Sequence, residues 1–74
     1  MTLQNKIYEA SKLPSRRQFS IAVRRTAPYV SNMLNSKVDI SVNLAVDLCD
    51  LVGIEREKSF ELIVEHIREK IFYY

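Results

Sequence analysis

The amino-acid sequence predicts an all-α fold of five helices. The 74 residues include one Gly and two Pro, and Val and Ile recur at helical rather than alternating spacing, which leaves little support for strands. Capping residues divide the chain into five helical stretches. A chain this short buries only roughly 60% of its unfolded surface, so we expect residues 1–74 to form a single domain.

The first two helices have clear start and stop signals. The first is predicted over residues 3–13 and ends before Pro14, because proline disfavours helical geometry in the residue before it. The second is predicted over residues 16–24, where Ser15 and Gln18 form a capping box. The residues predicted to face the core are Leu3, Ile7 and Ala10 on the first helix and Phe19, Ala22 and Val23 on the second. Arg17, Ile21 and Arg24 are predicted to point outward.

The third helix is predicted over residues 27–35, with Thr26 as its N-cap and Pro28 in its first turn, where proline is tolerated. Its apolar face is predicted to hold Ala27, Val30, Met33 and Leu34. The opposite face is small, polar and uncharged, and consists of Pro28, Ser31, Asn32 and Asn35, with Tyr29 on its flank. Such a face suits contact with base edges in DNA. The alternative is an ordinary solvated face with no partner.

The fourth and fifth helices complete the predicted core. The fourth begins after Ser41 and covers residues 42–52, and Gly53 supplies the left-handed residue that ends it. The fifth covers residues 56–72. The core-facing residues are predicted to be Leu44, Ala45, Leu48, Leu51 and Val52 on the fourth helix, with Cys49 at the edge, and Phe60, Ile63, Val64, Ile67, Ile71 and Tyr74 on the fifth.

A second, weaker stripe on the fifth helix is predicted to lie opposite the first. It holds Leu62, Tyr73 and His66, and we expect His66 to be an exposed helical histidine. One interpretation is a set of scattered exposed residues on a solvated helix. The sharper interpretation is a homodimer contact, for which the candidates are Leu62, His66, Tyr73 and Tyr74.

The composition excludes several classes of protein. A single Cys and a single His cannot form an internal disulfide or a Cys-based zinc site, and we expect no metal and no cofactor. Cys49 is predicted to be a small buried hydrophobe, because no base neighbours it in sequence. Without a base-activated nucleophile or a glycine loop, we expect no enzyme activity. The sequence contains no apolar run long enough to span a membrane, so a cytoplasmic protein is expected.

The charges are distributed unevenly along the chain. Residues 10–38 hold six basic side chains and no acid, whereas residues 39–74 hold eight acids against four bases. The net charge of +2 therefore combines a segment of +6 with one of −4. An acid-free segment of this length suits a surface that faces a polyanion, since neutralising phosphates releases counterions. The alternative is a solvated basic surface with no partner.

The stretch from Gln18 to Lys37, followed by Ile40-Ser41 and the segment 44–54, resembles the lambda-repressor/Cro-like helix-turn-helix family. The most specific matches are Val30-Ser31, residues 34–37 and the closing Leu51-Val52-Gly53-Ile54. In its length and its helical tail, the chain is most similar to small phage regulators, including those of filamentous phages. The resemblance covers about residues 15–57. It implies a helix-turn-helix formed by helices 2 and 3, and a dimeric transcriptional regulator with its third helix in the major groove of double-stranded DNA.

The resemblance also implies roles for single residues. Ala27, Pro28 and Asn32 take base-reading positions, and Ser31 is predicted beside them on the same face. Phosphate contacts are expected from Arg16, Arg17, Arg24, Arg25, Thr26, Tyr29, Asn35 and Lys37. Such a regulator, if encoded by a phage, acts in the cytoplasm of its bacterial host.

The sequence departs from the family pattern in the turn. Arg24 stands where the family commonly has Gly, and Arg25 where it has a buried aliphatic residue, which leaves open whether Arg25 is buried or contacts DNA. Ala27 and Pro28 replace a Gln or Ser pair, which favours thymine-methyl contact or shape readout. The alternative function is a protein-interaction module, an antirepressor or host-factor binder that uses the acidic fifth helix.

Overall fold

Five helices and no strand are found in residues 1–72, the part of the chain that the computed structural model describes. They are α1 (Leu3–Ser11), α2 (Arg16–Ala22), α3 (Ala27–Asn35), α4 (Val42–Leu51) and α5 (Arg56–Phe72). The prediction of an all-helical chain is confirmed. Within the same residues, no helix is long and apolar enough to cross a membrane.

Hydroxyl side chains begin the first four helices. Each of these hydroxyls accepts the backbone amide three residues further on, which satisfies an amide that has no partner inside the helix. The four capping residues are Thr2, Ser15, Thr26 and Ser41. Local hydrogen bonding by Ser and Thr therefore sets where these helices start.

Left-handed residues end three of the helices. Lys12 has a φ of 57° and ends α1 at Ser11, so the helix ends before it reaches Pro14. Gly53 follows α4 with a φ of 80°, and its amide donates to the Asp50 carbonyl at 3.2 Å. Arg24 also has a φ of 57° and ends α2 in the same way. These terminators explain why α1 and α2 end two residues earlier than predicted.

The first helix lies at the centre of the fold, because α1 packs against α3, α4 and α5. The aromatic rings of Tyr8 and Phe19 meet edge to face with centroids 5.1 Å apart, which joins α1 to α2. α2 packs on α3, and α4 packs on α5. The buried apolar core consists of Leu3, Ile7, Phe19, Val23, Val30, Met33, Leu34, Ala45, Leu48, Cys49 and Ile63.

Several residues predicted to face the core are exposed. Ala10 is exposed because Gln4 is buried, which rotates the core face of α1 away from Ala10. Ala27 is exposed together with the next two residues, Pro28 and Tyr29. Leu51 is exposed at the last residue of α4, and Cys49, predicted at the edge of the apolar arc, is fully buried instead.

The fifth helix shows the largest departure from prediction, because a different face lies against the core. Ser59, Ile63 and His66 are buried, and Leu62 packs partly buried against the core. Four members of the predicted core stripe are exposed instead: Phe60, Val64, Ile67 and Ile71. Hydrophobicity alone predicts the wrong buried face for α5, because the face that packs against the core carries polar side chains. The Ser59 hydroxyl donates to the Glu55 carbonyl at 3.1 Å, and His66 lies against Asp39.

Candidate nucleic-acid interface

A tight turn holds α2 and α3 together. Arg24 adopts a φ of 57°, its amide donates to the Ile21 carbonyl at 3.2 Å, and the Arg25 amide donates to the Ser20 carbonyl at 3.1 Å. These two bonds form the pattern that commonly ends a helix at a left-handed residue. Arg24 therefore adopts the conformation expected of a glycine, and the turn forms without one.

The left-handed Arg24 predicts a stability difference between two variants. Arg24→Gly and Arg24→Ala both remove the guanidinium, but only alanine keeps a Cβ that is strained at this φ. We expect the free energy of unfolding to be about 1 kcal/mol higher for Arg24→Gly than for Arg24→Ala. Urea denaturation of the two proteins measures this difference, and equal stabilities would contradict the assigned turn.

The outward face of α3 is exposed and uncharged. Ala27, Pro28 and Asn32 are exposed, Tyr29 is 43% exposed, and Ser31 is half-buried. Thr26 is exposed at the N-cap, where its hydroxyl accepts the Tyr29 amide at 3.4 Å. Val30, Met33 and Leu34 hold the opposite face in the core. The base-reading candidates thus share one accessible surface, with Ser31 the least accessible.

Exposed cations border this face. Arg16, Arg17, Arg24 and Lys37 are all exposed. Arg16 also joins α2 to α3, because its Nη1 donates to Oδ1 of Asn35 at 3.2 Å. Arg24 lies three residues before α3 and Lys37 two residues after it, so positive charge stands at both ends of the helix.

Arg25 differs from its neighbours because it folds back onto the protein. Its Nη1 donates to the Val23 carbonyl at 3.0 Å, and its guanidinium lies 5.6 Å from the centroid of the Tyr29 ring. Arg25 is half-buried. A cation over an aromatic ring is attracted to it electrostatically. Arg25 therefore positions Tyr29 and the turn.

Asp39, the first acid after the basic segment, lies in ion pairs. Its Oδ1 accepts the Leu3 amide at 3.1 Å, and its Oδ2 contacts Nζ of Lys70. His66 Nε2 is 3.0 Å from the same oxygen, close but poorly aligned for a hydrogen bond. Burial favours the neutral carboxyl, but the contacts from Lys70, His66 and Leu3 outweigh it and hold the pKa of Asp39 well below its usual range.

Polar side chains of α1 fix the segment that follows α3. The Gln4 amide nitrogen donates to the Met33 carbonyl at 3.0 Å and to the Val38 carbonyl at 2.8 Å, and its oxygen accepts the Ile40 amide at 3.2 Å. Asn5 donates to the carbonyl of Leu34 at 2.9 Å. Sequence reasoning missed both residues. Their position in α1 beside Leu3 and Ile7, which are buried, was the one indication that they would contact other parts of the chain.

The remaining candidates lie apart from this surface. Leu62 and His66, proposed as dimer contacts, pack against the core of their own chain, and the expectation that His66 is exposed is wrong, since only 5% of it is exposed. Tyr73 and Tyr74 lie outside the described residues. Burial raises the pKa of the Cys49 thiol, in keeping with a core residue. Among residues 1–72, no group of three His, Cys, Asp or Glu side chains could hold a metal.

Comparison of the chain with protein-family models, with curated proteins and with solved structures finds no match. Any functional assignment therefore depends on the residues and geometry of the chain itself.

Proposed function

We propose that the protein is a sequence-specific regulator of transcription that binds double-stranded DNA. In this proposal α2, the turn and α3 act as a helix-turn-helix of the lambda-repressor/Cro type, and α3 enters the major groove. The protein needs no cofactor and performs no catalysis. The resemblance to phage regulators suggests repression at an operator in the cytoplasm of a bacterial host.

The observation that carries the proposal is an uncharged, exposed helix face bordered by exposed cations. Phosphate contacts supply affinity and register, and base edges supply specificity. Arg17, Arg24 and Lys37 are free to reach phosphates, while Asn32 offers both a donor and an acceptor to a base. Asp39, the first acid after the basic segment, is paired with Lys70, which offsets its negative charge.

The first turn of α3 adds contacts of a different kind. Ala27 and Pro28 present only small apolar groups, which suit the methyl group of thymine. The exposed Thr26 hydroxyl can donate to a phosphate while its oxygen caps the helix. Tyr29, whose ring contacts the Arg25 guanidinium, is partly exposed, and its hydroxyl can donate to a phosphate. Asn35 is held by Arg16, so these two residues would act together.

Selection of bound sites from random duplexes tests the proposed readout. We expect the wild-type protein to enrich one sequence, and Asn32→Ala to lose preference at one position, with a cost of about 1–3 kcal/mol at that base pair. Asn43, an exposed asparagine on α4, provides the matched control, and Asn43→Ala should select the same sequence as wild type. The proposal fails if the wild-type protein enriches no sequence, or if both variants select as wild type does.

A further inference from the structure

An apolar groove lies between α4 and α5. It has a volume of about 450 Å³ and is lined by Val42 and Val46 from α4 and by Phe60, Val64 and Ile67 from α5. Ile71 continues the stripe by one turn of α5. All six side chains are exposed, from 40% for Val64 to 69% for Phe60. Ser59 and Ile63 line the buried side of the groove, where α5 meets the core, and the outer side is left uncovered by the part of the chain that the structure describes.

The exposed residues of α5 follow the spacing of a helix that packs along another helix. Phe60, Val64, Ile67 and Ile71 are separated by four, three and four residues. This alternation is the pattern of the two apolar positions in a heptad. A long helix is therefore the shape that fits this groove.

We infer that the groove binds a second copy of the chain, with the two α5 helices packed antiparallel. A two-fold axis near residues 65 and 66 places Phe60 opposite Ile71 of the second copy, and Val64 opposite Ile67 of the second copy. Every position of the stripe then meets an apolar residue. Val42 and Val46 extend the contact onto α4.

The charges beside the stripe favour the same arrangement. Glu61 and Arg68 occupy equivalent positions, seven residues apart, on the edge of the stripe away from α4. Antiparallel packing brings Glu61 beside Arg68 of the second copy, and symmetry repeats the pair. Opposite charges at such flanking positions determine partner and orientation in paired helices. The surface is thus complementary to itself in both shape and charge.

The exposed area is also sufficient. From their exposed fractions, the six apolar side chains leave on the order of 500 Å² uncovered, close to the largest patch on a typical monomer. Two copies would bury roughly 1,000 Å² from these side chains alone, which is the lower limit for a specific interface. An interface at this lower limit predicts weak dimerisation, which is measurable at micromolar or higher chain concentrations. This inference does not depend on DNA binding, since the groove belongs to α4 and α5.

Sedimentation equilibrium without DNA tests the interface. We expect the wild-type chain to dimerise, and Ile67→Glu at the centre of the stripe to weaken dimerisation at least tenfold. Ile21→Glu is the control, because Ile21 is also an exposed helical isoleucine but lies on α2. Circular dichroism establishes that both variants fold, as expected for substitutions of exposed residues. A wild-type chain that stays monomeric up to several hundred micromolar, or equal dimerisation by the two variants, overturns the inference.

Charge exchange tests the antiparallel arrangement. Glu61→Arg and Arg68→Glu alone each place like charges together and should weaken dimerisation, whereas the double variant restores the pairs and should recover it. Failure of the double variant to recover overturns the arrangement. A monomeric chain that still binds duplex DNA counts against this interface and leaves the proposed function standing. A monomer that captures a different protein through this groove also overturns self-association.

Discussion

Replacing Asp39 with Asn is expected to lower the free energy of unfolding by about 2 kcal/mol at neutral pH. Asp39 connects the segment after α3 to the Leu3 amide at the start of α1 and to His66 and Lys70 on α5. The amide side chain keeps the shape of the carboxylate but removes its charge. His66, buried in the same site, then loses its acidic partner. Denaturation in urea at pH 7 measures the change.

The effect of Asp39→Asn should depend on pH in a defined direction. The pKa of Asp39 is lower in the folded protein than in the unfolded chain, so its contribution is complete above the unfolded pKa near 4 and is lost as pH falls towards the folded value. The gap between wild type and Asp39→Asn should therefore narrow below about pH 4. A gap that stays constant from pH 6 to pH 2 would contradict the role given to Asp39.

Glu69→Gln provides the matched control. Glu69 also pairs with a lysine, since Lys6 Nζ lies 2.6 Å from its Oε2, and this pair lowers the pKa of Glu69. The Glu69 side chain is 61% exposed, however, against 16% for Asp39. Exposed ion pairs contribute little to stability. We expect Glu69→Gln to change stability much less than Asp39→Asn does.

Local signals predicted most of the helical layout. Ser15, Thr26 and Ser41 marked three helix starts, and Gly53 marked the end of α4, because each of these residues acts through its own neighbours. The ends of α1 and α2 were placed too late. Lys12 and Arg24 are left-handed without being glycine, and nothing in their residue type indicates it.

The position of α5 could not be predicted from hydrophobicity. The helix has an apolar stripe and a face of mixed polarity. The mixed face packs against the core, where His66 contacts Asp39. That contact joins residues 27 positions apart, which a helical wheel does not represent. For the same reason the burial of Gln4 could not be predicted, because its three hydrogen-bond partners lie in residues 33–40.

The residues of the candidate site could be predicted from the sequence better than the buried face of α5 could. The acid-free segment and the polar face of α3 are local patterns, and both follow directly from the order of residues. The behaviour of Arg25 required the structure, because its contacts with Val23 and Tyr29 depend on the path of the turn. Arg16 likewise reaches Asn35 only when α2 and α3 are packed together.

The double variant Arg17→Ala, Lys37→Ala is expected to weaken binding to duplex DNA, most strongly at low salt. Both side chains are exposed cations, Arg17 on α2 and Lys37 two residues after α3, and each phosphate contact adds about 0.9 to the slope of log affinity against log salt. The slope should therefore fall by about 2 in the double variant and by about 1 in Lys37→Ala alone. Lys58→Ala removes an equally exposed lysine on α5 and should leave the slope unchanged.

The salt dependence of duplex affinity for Lys37→Ala against Lys58→Ala is the most direct test of a DNA-binding surface on α2 and α3. We predict a reduced slope for Lys37→Ala and the wild-type slope for Lys58→Ala. Equal slopes in the two variants, or a wild-type protein that does not bind duplex DNA at low salt, would contradict this prediction.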